Sequence, residues 1–70
     1  MYDYSKLKGK IIELYGSQGL FACSVKRSQA YVSGVLNNRS YLNQVDIDRW
    51  AEALSIPGAE LGVYFFTRKA

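Results

Sequence analysis

The sequence predicts an all-α fold, a compact bundle of about five short helices in a single domain over residues 1–70. Three observations predict it. A chain of 70 residues is long enough for one hydrophobic core. An apolar fraction of 49%, with six Tyr, three Phe and one Trp, is typical of a folded domain rather than a disordered chain. Apolar residues also recur at helical spacing along almost the whole length.

The first helix is predicted from about Tyr4 to Tyr15. Its inward-facing residues are expected to be Leu7, Ile11, Leu14 and Tyr15. Gly16 follows directly and is expected to end the helix, because the residue just past a helix end often needs a positive φ, which glycine adopts freely.

Ser17 is expected to cap a short second helix that runs from Gln18 to about Ser24. Its inward residues are expected to be Phe21, Ala22 and Val25. Cys23 stands among these apolar neighbours and is the only cysteine in the chain. We therefore expect it to be a small core residue rather than a reactive thiol, and an internal disulfide is excluded.

A third helix is predicted from Ser28, its N-cap, to about Asn37, and Asn37 and Asn38 can end it because asparagine tolerates the left-handed region. Val32, Val35 and Leu36 lie at helical spacing on its inner face. The outer face is short and uncharged, and consists of Gln29, Ala30, Ser33, Gly34 and Asn37. An interior glycine costs a helix about 1 kcal/mol relative to alanine, so Gly34 needs a reason.

A polar link from Arg39 to Gln44 leads to a fourth helix, predicted from about Val45 to Leu54. One apolar stripe at i, i+3, i+4 and i+7 is formed by Ile47, Trp50, Ala51 and Leu54, which predicts that Trp50 is largely buried. Pro57 suits the first turn of a fifth helix from about Gly58 to Phe66, with Leu61 and Phe65 inward. The run VYFFT could instead form a strand, although no other segment looks able to pair with it.

Several functional classes are excluded by composition. With no His and one Cys, the chain lacks a zinc ligand set, a Cys–His pair and a Ser–His–Asp triad. No glycine-rich stretch has the spacing of a phosphate-binding loop. We therefore expect no enzyme, no cofactor, no metal and no small-molecule substrate. No apolar run has membrane-spanning length and the N-terminus lacks a signal peptide, so the expected location is the cytoplasm, away from the membrane.

Positive charge is concentrated in the first half of the chain. Residues 1–39 hold six Lys and Arg against two Asp and Glu, a balance of +4, whereas residues 40–70 hold three against four, a balance of −1. This asymmetry favours a polyanionic partner on the first side. Lys6, Lys8 and Lys10 cannot share one helical face, so they are expected to add general steering charge rather than specific contacts.

The second and third helices, joined by a tight turn, form a candidate helix-turn-helix. The residues that mark this segment are Ser17-Gln18, Ala22, Ser28, Val32-Ser33 and Leu36-Asn37-Asn38. In type and register they resemble the phage-repressor family of DNA-binding domains, the lambda repressor and Cro type. The segments MYDYSKLKGKIIELYGSQ and IPGAELGVYFF, and the total length, are similar to a family of short proteins of phages and prophages of Gram-positive bacteria. Lys26 and Arg27 depart from the family pattern, which usually has glycine and an apolar residue there.

The resemblance implies a transcriptional regulator that inserts the third helix into the major groove of double-stranded operator DNA. The expected base contacts are Gln29, Ala30, Ser33 and Gly34, where small residues permit close approach and Gln29 can pair with adenine. An alternative for Gly34 is that it lets a neighbouring side chain pack. The expected phosphate contacts are Ser17, Gln18, Lys26, Arg27, Tyr31, Asn37, Arg39 and Asn43. Packing of the Tyr31 ring on the core is an equal alternative.

A second hypothesis is a small phage regulator that binds another protein, such as a phage repressor, instead of DNA. It is favoured by the modest net charge of +3 and by the absence of Lys and Arg from the outer face of the third helix. Because family members of the DNA-binding type usually act as dimers, a weak homodimer is expected through Tyr64 and Phe66, which point away from the inward residues of the fifth helix. The alternative is that Phe66 folds back over Leu7 or Ile11 and only closes the core.

Overall fold

The computed structural model describes residues 1–69, and within them the chain forms five α-helices, as predicted. A short 3-10 turn leads into the last of them. The bounds are α1 Ser5–Tyr15, α2 Gln18–Ser24, α3 Gln29–Leu36, α4 Gln44–Ala53 and α5 Leu61–Phe65, with the 3-10 turn at Gly58–Glu60.

The core is a single cluster to which every helix contributes. Trp50 of α4 lies at its centre, fully buried as predicted, with the ring of Phe21 edge-on at a centroid distance of 5.0 Å. The other fully buried side chains are Phe65, Leu7, Ile11, Leu54, Val25, Val32 and Val35. This one core joins the α2–α3 pair to α1, α4 and α5, so it fixes where the outer face of α3 lies.

Two helix ends follow the predicted turn chemistry. Gly16 has φ 84 directly after α1, and its N–H donates to the Ile12 carbonyl at 2.9 Å. Asn38, two residues past α3, has φ 61 and is in the left-handed region. Its side chain has a further contact that the sequence did not indicate. The amide Nδ2 donates to the Tyr2 carbonyl and Oδ1 accepts from the Tyr2 N–H, both at 3.0 Å, which ties the N-terminal segment to the end of α3.

Two predictions about burial are wrong. Leu14 is 47% exposed, because α1 buries a row at i, i+4 and i+8 formed by Leu7, Ile11 and Tyr15, and Leu14 falls beside that row. Cys23 is exposed rather than part of the core. The inward residues of α2 are Phe21, Ala22 and Val25, as predicted, and at 100° per residue Cys23 lies on the opposite side of that helix.

The predicted fifth helix is divided in two. The segment after Pro57 begins as the 3-10 turn, and the α-helical part starts only at Leu61. A 3-10 turn at the start of an α-helix is common. Phe65 is buried as predicted, and Leu61 packs partly buried against the core. The strand alternative for VYFFT is wrong, since Val63 to Phe65 are helical. Beyond α5, Arg68 forms an isolated antiparallel bridge with Tyr2.

Candidate functional site

Both helices of the α2–α3 pair begin at capped serines, as predicted. The Ser17 hydroxyl accepts a hydrogen bond from the Leu20 N–H, and the Ser28 hydroxyl accepts one from the Tyr31 N–H, each at 3.1 Å. Such caps satisfy backbone donors that a helix start leaves free, and each stabilises its helix by about 1 kcal/mol. The two caps therefore define the starts of the helices that carry the candidate site.

The turn between these helices contains Lys26 in the left-handed conformation, with φ 59. The N–H of Arg27 donates to the Ala22 carbonyl at 3.0 Å, closing the end of α2. Lys26 thus adopts the conformation for which glycine is the usual residue. A non-glycine residue in this conformation costs about 1–2 kcal/mol, which the surrounding contacts must offset.

Of the four residues predicted to contact bases, Gln29 and Ala30 are exposed and Ser33 is partly exposed. The Gln29 side chain lies over the first turn of α2, since a Cβ atom added to Gly19 would lie 3.2 Å from Gln29 Oε1. These three residues form one side of α3, which we call the α3 outer face. It contains no charged side chain.

Gly34, the fourth residue predicted to contact bases, is not exposed on this face. The residue is buried, and its carbonyl accepts hydrogen bonds from the N–H groups of Arg39 at 2.7 Å and Ser40 at 3.2 Å. A Cβ atom on Gly34 would lie 2.9 Å from Ser40 Oγ, closer than real Cβ contacts allow. The glycine therefore lets the segment after α3 fold back against the helix, which is the packing alternative for this position.

A cluster of three side chains lies at the start of α3, and we call it the Arg27–Tyr31–Asp46 cluster. The Arg27 guanidinium lies over the Tyr31 ring, 3.9 Å from its centroid, and one of its nitrogens is 3.7 Å from Asp46 Oδ2. The Tyr31 hydroxyl is 3.0 Å from the same carboxylate oxygen and 2.9 Å from the Tyr41 carbonyl. Burial and the hydrogen bond to Asp46 raise the pKa of Tyr31 above its usual value.

Asp46 is the member of this cluster that sequence reasoning did not single out. It is only 2% exposed, although it is an acidic residue in the first turn of α4, and the Asn43 side chain accepts a hydrogen bond from its N–H at 2.7 Å. A signal was present, because Asp46 precedes Trp50 by four residues and so lies on the apolar stripe of that helix. A carboxylate at such a position needs partners, and Arg27 and Tyr31 supply them.

The residues predicted to hold phosphates are dispersed, and several are already engaged. Lys26, Arg39 and Asn43 are exposed, whereas Ser17 and Gln18 are partly exposed. Five of these side chains have partners within the chain, two of them as the helix caps Ser17 and Asn43. Asn37 donates to the Ser33 carbonyl at 2.9 Å, and the Tyr31 and Arg27 side chains belong to the cluster.

The surface predicted for self-association lies around the end of α5. Phe66 is 50% exposed and its ring is edge-on to Tyr2, with the centroids 6.0 Å apart. Tyr64 is partly buried against the core. A groove of about 340 Å³ is lined by both Tyr2 and Phe66 and by the Tyr41 ring, which is 93% exposed. Phe66 therefore lies over Tyr2 at the rim of an aromatic groove.

Within residues 1–69, no helix is both long and apolar enough to cross a membrane. Over the same residues, no three His, Cys, Asp or Glu side chains are grouped so that they could hold a metal ion.

Comparison with solved structures finds a similar protein, the modulator of repression (MOR) of the temperate bacteriophage TP901-1 from Lactococcus lactis, known from its solution structure. The two chains are 35% identical, with a TM-score of 0.82, and the match covers 93% of this chain and 88% of that one. No curated protein matches. Neither comparison names a repressor of the lambda or Cro type, so the comparisons give that part of the expected resemblance no support. A protein-family model matches residues 1–68, and the chain belongs to that family, which is described as "Protein of unknown function (DUF739)".

Proposed function

We propose that this protein is a small phage regulator that modulates repression by binding a protein, the repressor of its own phage, rather than operator DNA. Its similarity to a modulator of repression, at 35% identity over 93% of the chain, supports a regulator of this kind. Of the two hypotheses that the sequence raises, the protein-binding one agrees better with this similarity.

The observation that carries the proposal is the lack of positive charge on the α3 outer face. DNA-binding proteins gain most of their affinity by neutralising phosphates with Lys and Arg. α3 contains neither residue type. The arginine nearest to it in sequence, Arg27, has its guanidinium 3.7 Å from the buried carboxylate of Asp46. A net charge of +3 over the whole chain adds little general attraction to a polyanion.

The same face suits a protein partner. The centres of protein–protein interfaces are depleted of charged residues. Gln29, Ala30 and Ser33 offer short, neutral side chains on a helix that is capped at its start and seated on the core by Val32 and Val35. A helix or loop of the repressor can approach such a surface closely, without removing a charge from water.

Ala30→Arg tests the proposal, because it adds bulk and positive charge at an exposed position of this face. We expect the variant to weaken binding to the phage repressor at least tenfold in calorimetry, while its thermal unfolding stays unchanged. Ala59→Arg is the matched control, since Ala59 is also exposed but lies in the 3-10 turn. It should bind the repressor as the wild type does.

A gel shift with the intergenic DNA upstream of the gene, at two salt concentrations, is the parallel measurement. Sequence-specific binding of the wild type to this DNA, with no binding to the repressor, would overturn the proposal in favour of a DNA-binding regulator. An added arginine beside phosphates would then maintain or raise affinity for non-specific DNA. The proposal thus predicts that Ala30→Arg lowers affinity for the repressor. The DNA-binding hypothesis predicts that it maintains or raises affinity for non-specific DNA.

A further inference from the structure

Arg27 occupies a position at which a positive charge would ordinarily serve DNA binding. It lies in the turn directly before Ser28, the N-cap of α3, and so borders the end of the helix that a helix-turn-helix protein brings against base edges and phosphates. No Lys or Arg follows it within α3. Arg27 is therefore the positive charge nearest in sequence to the start of the α3 outer face.

The structure directs this charge toward Asp46 and Tyr31 instead, although the Arg27 side chain keeps 37% of its surface exposed. The guanidinium carbon lies over the Tyr31 ring, 3.9 Å from the centroid, and one guanidinium nitrogen is 3.7 Å from the Asp46 carboxylate. The two contacts act together, because the ring attracts the cation through its negative face and the carboxylate attracts it by opposite charge. Asp46 is almost fully buried, so this attraction is screened by salt much less than an exposed ion pair would be.

Both the carboxylate and the backbone N–H of Asp46 have hydrogen-bond partners. Its carboxylate is within hydrogen-bond distance of the Tyr31 hydroxyl, and its backbone N–H donates to the side chain of Asn43. A buried carboxylate without Arg27 would lose its charged partner, which raises the cost of moving Arg27 to a phosphate. The arrangement thus penalises DNA contact by Arg27 in a way that an exposed carboxylate would not.

We propose that Asp46 is a specificity-determining residue: by holding Arg27 against Tyr31, it keeps the α2–α3 pair from binding DNA and leaves the α3 outer face to a protein partner. This inference rests on the proposed function. It adds the residue that disfavours binding of DNA, the ligand of the alternative hypothesis. Choice between partners often depends on such a built-in penalty as well as on favourable contacts.

Asp46→Asn tests this inference, since the amide keeps the size of the side chain and can still bond the Tyr31 hydroxyl while losing the negative charge. The probe is a labelled random-sequence DNA duplex, measured by fluorescence anisotropy at about 50 and 200 mM salt. We expect binding about fivefold to tenfold tighter than that of the wild type at the lower salt. The salt dependence should steepen by about 0.9 in the log–log slope, the value for one additional phosphate contact.

Asp48→Asn is the matched control, because Asp48 is an exposed carboxylate of the same helix and its loss changes the net charge equally. It should gain much less affinity for the duplex. The double variant Asp46→Asn with Arg27→Gln should lose the gain of the single one. Equal gains for the two asparagine variants, or a gain that survives the loss of Arg27, would overturn the inference.

A second measurement does not depend on the folding of the Asp46 variant. In the wild-type background, Arg27→Gln should weaken binding to the same duplex by no more than Lys8→Gln, which removes the same charge from an exposed position of α1. A larger loss would show that Arg27 already contacts phosphates, which contradicts the inference. Failure of the proposed function would look different, because the wild type would then not bind the repressor, whatever the asparagine variants do with DNA.

Discussion

The hydroxyl of Tyr31 in α3 lies 3.0 Å from Oδ2 of Asp46, which follows fifteen positions later in the chain, in the first turn of α4. This contact joins the helix that carries the candidate interface to the helix that carries the central Trp50. The same hydroxyl is 2.9 Å from the Tyr41 carbonyl, so its single proton is shared between two acceptors and links α3 to the segment between the two helices. Two of the three members of the Arg27–Tyr31–Asp46 cluster thus also have a structural role.

Tyr31→Phe should lower the free energy of unfolding by about 1.5–3 kcal/mol, because it removes a hydrogen-bond donor from a buried carboxylate while keeping the ring under Arg27. Urea unfolding followed by circular dichroism measures the change. Tyr41→Phe is the control, since its side chain is exposed and its backbone carbonyl is retained. Equal stability of the two variants would mean that the hydroxyl contributes nothing to the fold.

The stability of the protein should also fall at high pH. The pKa of Tyr31 is raised above 10.0, mainly by burial and secondly by the hydrogen bond to Asp46. Burial also raises the pKa of Tyr4. The folded state therefore favours the protonated phenols, so their contribution is complete below pH 10 and is lost as the pH rises through the raised values. Unfolding free energies measured from pH 8 upward should decline above about pH 10. Tyr31→Phe should flatten that decline, and an unchanged profile in the variant would contradict this assignment.

Local signals in the sequence were enough to predict the first four helices and to place their ends within one residue. Ser17 and Ser28 cap the helices that they precede, and Gly16 ends the first. Each of these features depends on residues within four positions of one another, where spacing and residue type determine the geometry. The apolar stripe of the fourth helix predicted the burial of Trp50 by the same local reasoning.

The surroundings of the candidate interface could not be predicted in this way. Gly34 is covered by Ser40, and Arg27 is held by Asp46, through contacts that depend on how the segment between α3 and α4 folds back. Periodicity shows which side of a helix is polar, but it does not show which segment will cover it. Gly34 therefore looked like part of an open face, and Asp46 looked like one carboxylate among several.

The close contact between Gly34 and Ser40 predicts a coupled pair of substitutions. Gly34→Ala alone should stabilise the helix by less than the full alanine preference, because Ser40 Oγ would lie 2.9 Å from the added Cβ atom and must rotate away. With Ser40→Ala the obstructing oxygen is absent and the nearest remaining contact is 3.6 Å, so the helix should gain the alanine preference of about 1 kcal/mol. A double-mutant cycle from chemical unfolding measures the coupling. Strictly additive effects would show that Ser40 does not restrict this position.

Two substitutions of Trp50 separate the contribution of its side-chain volume to the free energy of unfolding from that of its N–H group. Trp50→Ala should cost about 3–5 kcal/mol, comparable with the whole stability of a small domain. Trp50→Phe should cost clearly less, because a ring remains against Phe21 and a buried Nε1 donor without a hydrogen-bond partner in residues 1–69 is removed. Thermal unfolding of both variants gives the comparison. A cooperatively melting Trp50→Ala protein of near wild-type stability would place Trp50 outside the essential core.

The end of α5 carries the last prediction, which concerns self-association. Tyr64 packs against the core, whereas Phe66 is half exposed and rests edge-on against Tyr2, so Phe66 is the residue with ring surface left to contribute. It borders a groove that Tyr41 also lines, and exposed aromatic side chains close together are typical of interface centres. We therefore expect a weak homodimer that uses Phe66, with a minor contribution from Tyr64.

Phe66→Ser should abolish this association while lowering the free energy of unfolding by only about 1 kcal/mol, because about half of the ring is already in water. Sedimentation velocity over a wide range of protein concentration measures the association. Val63→Ser is the matched control, since Val63 is an exposed apolar residue of the same helix, and it should dimerise like the wild type. If the wild type stays monomeric at the highest concentration, the role of Phe66 is only to cover Tyr2, and the apolar end of α5 completes the fold of a single chain.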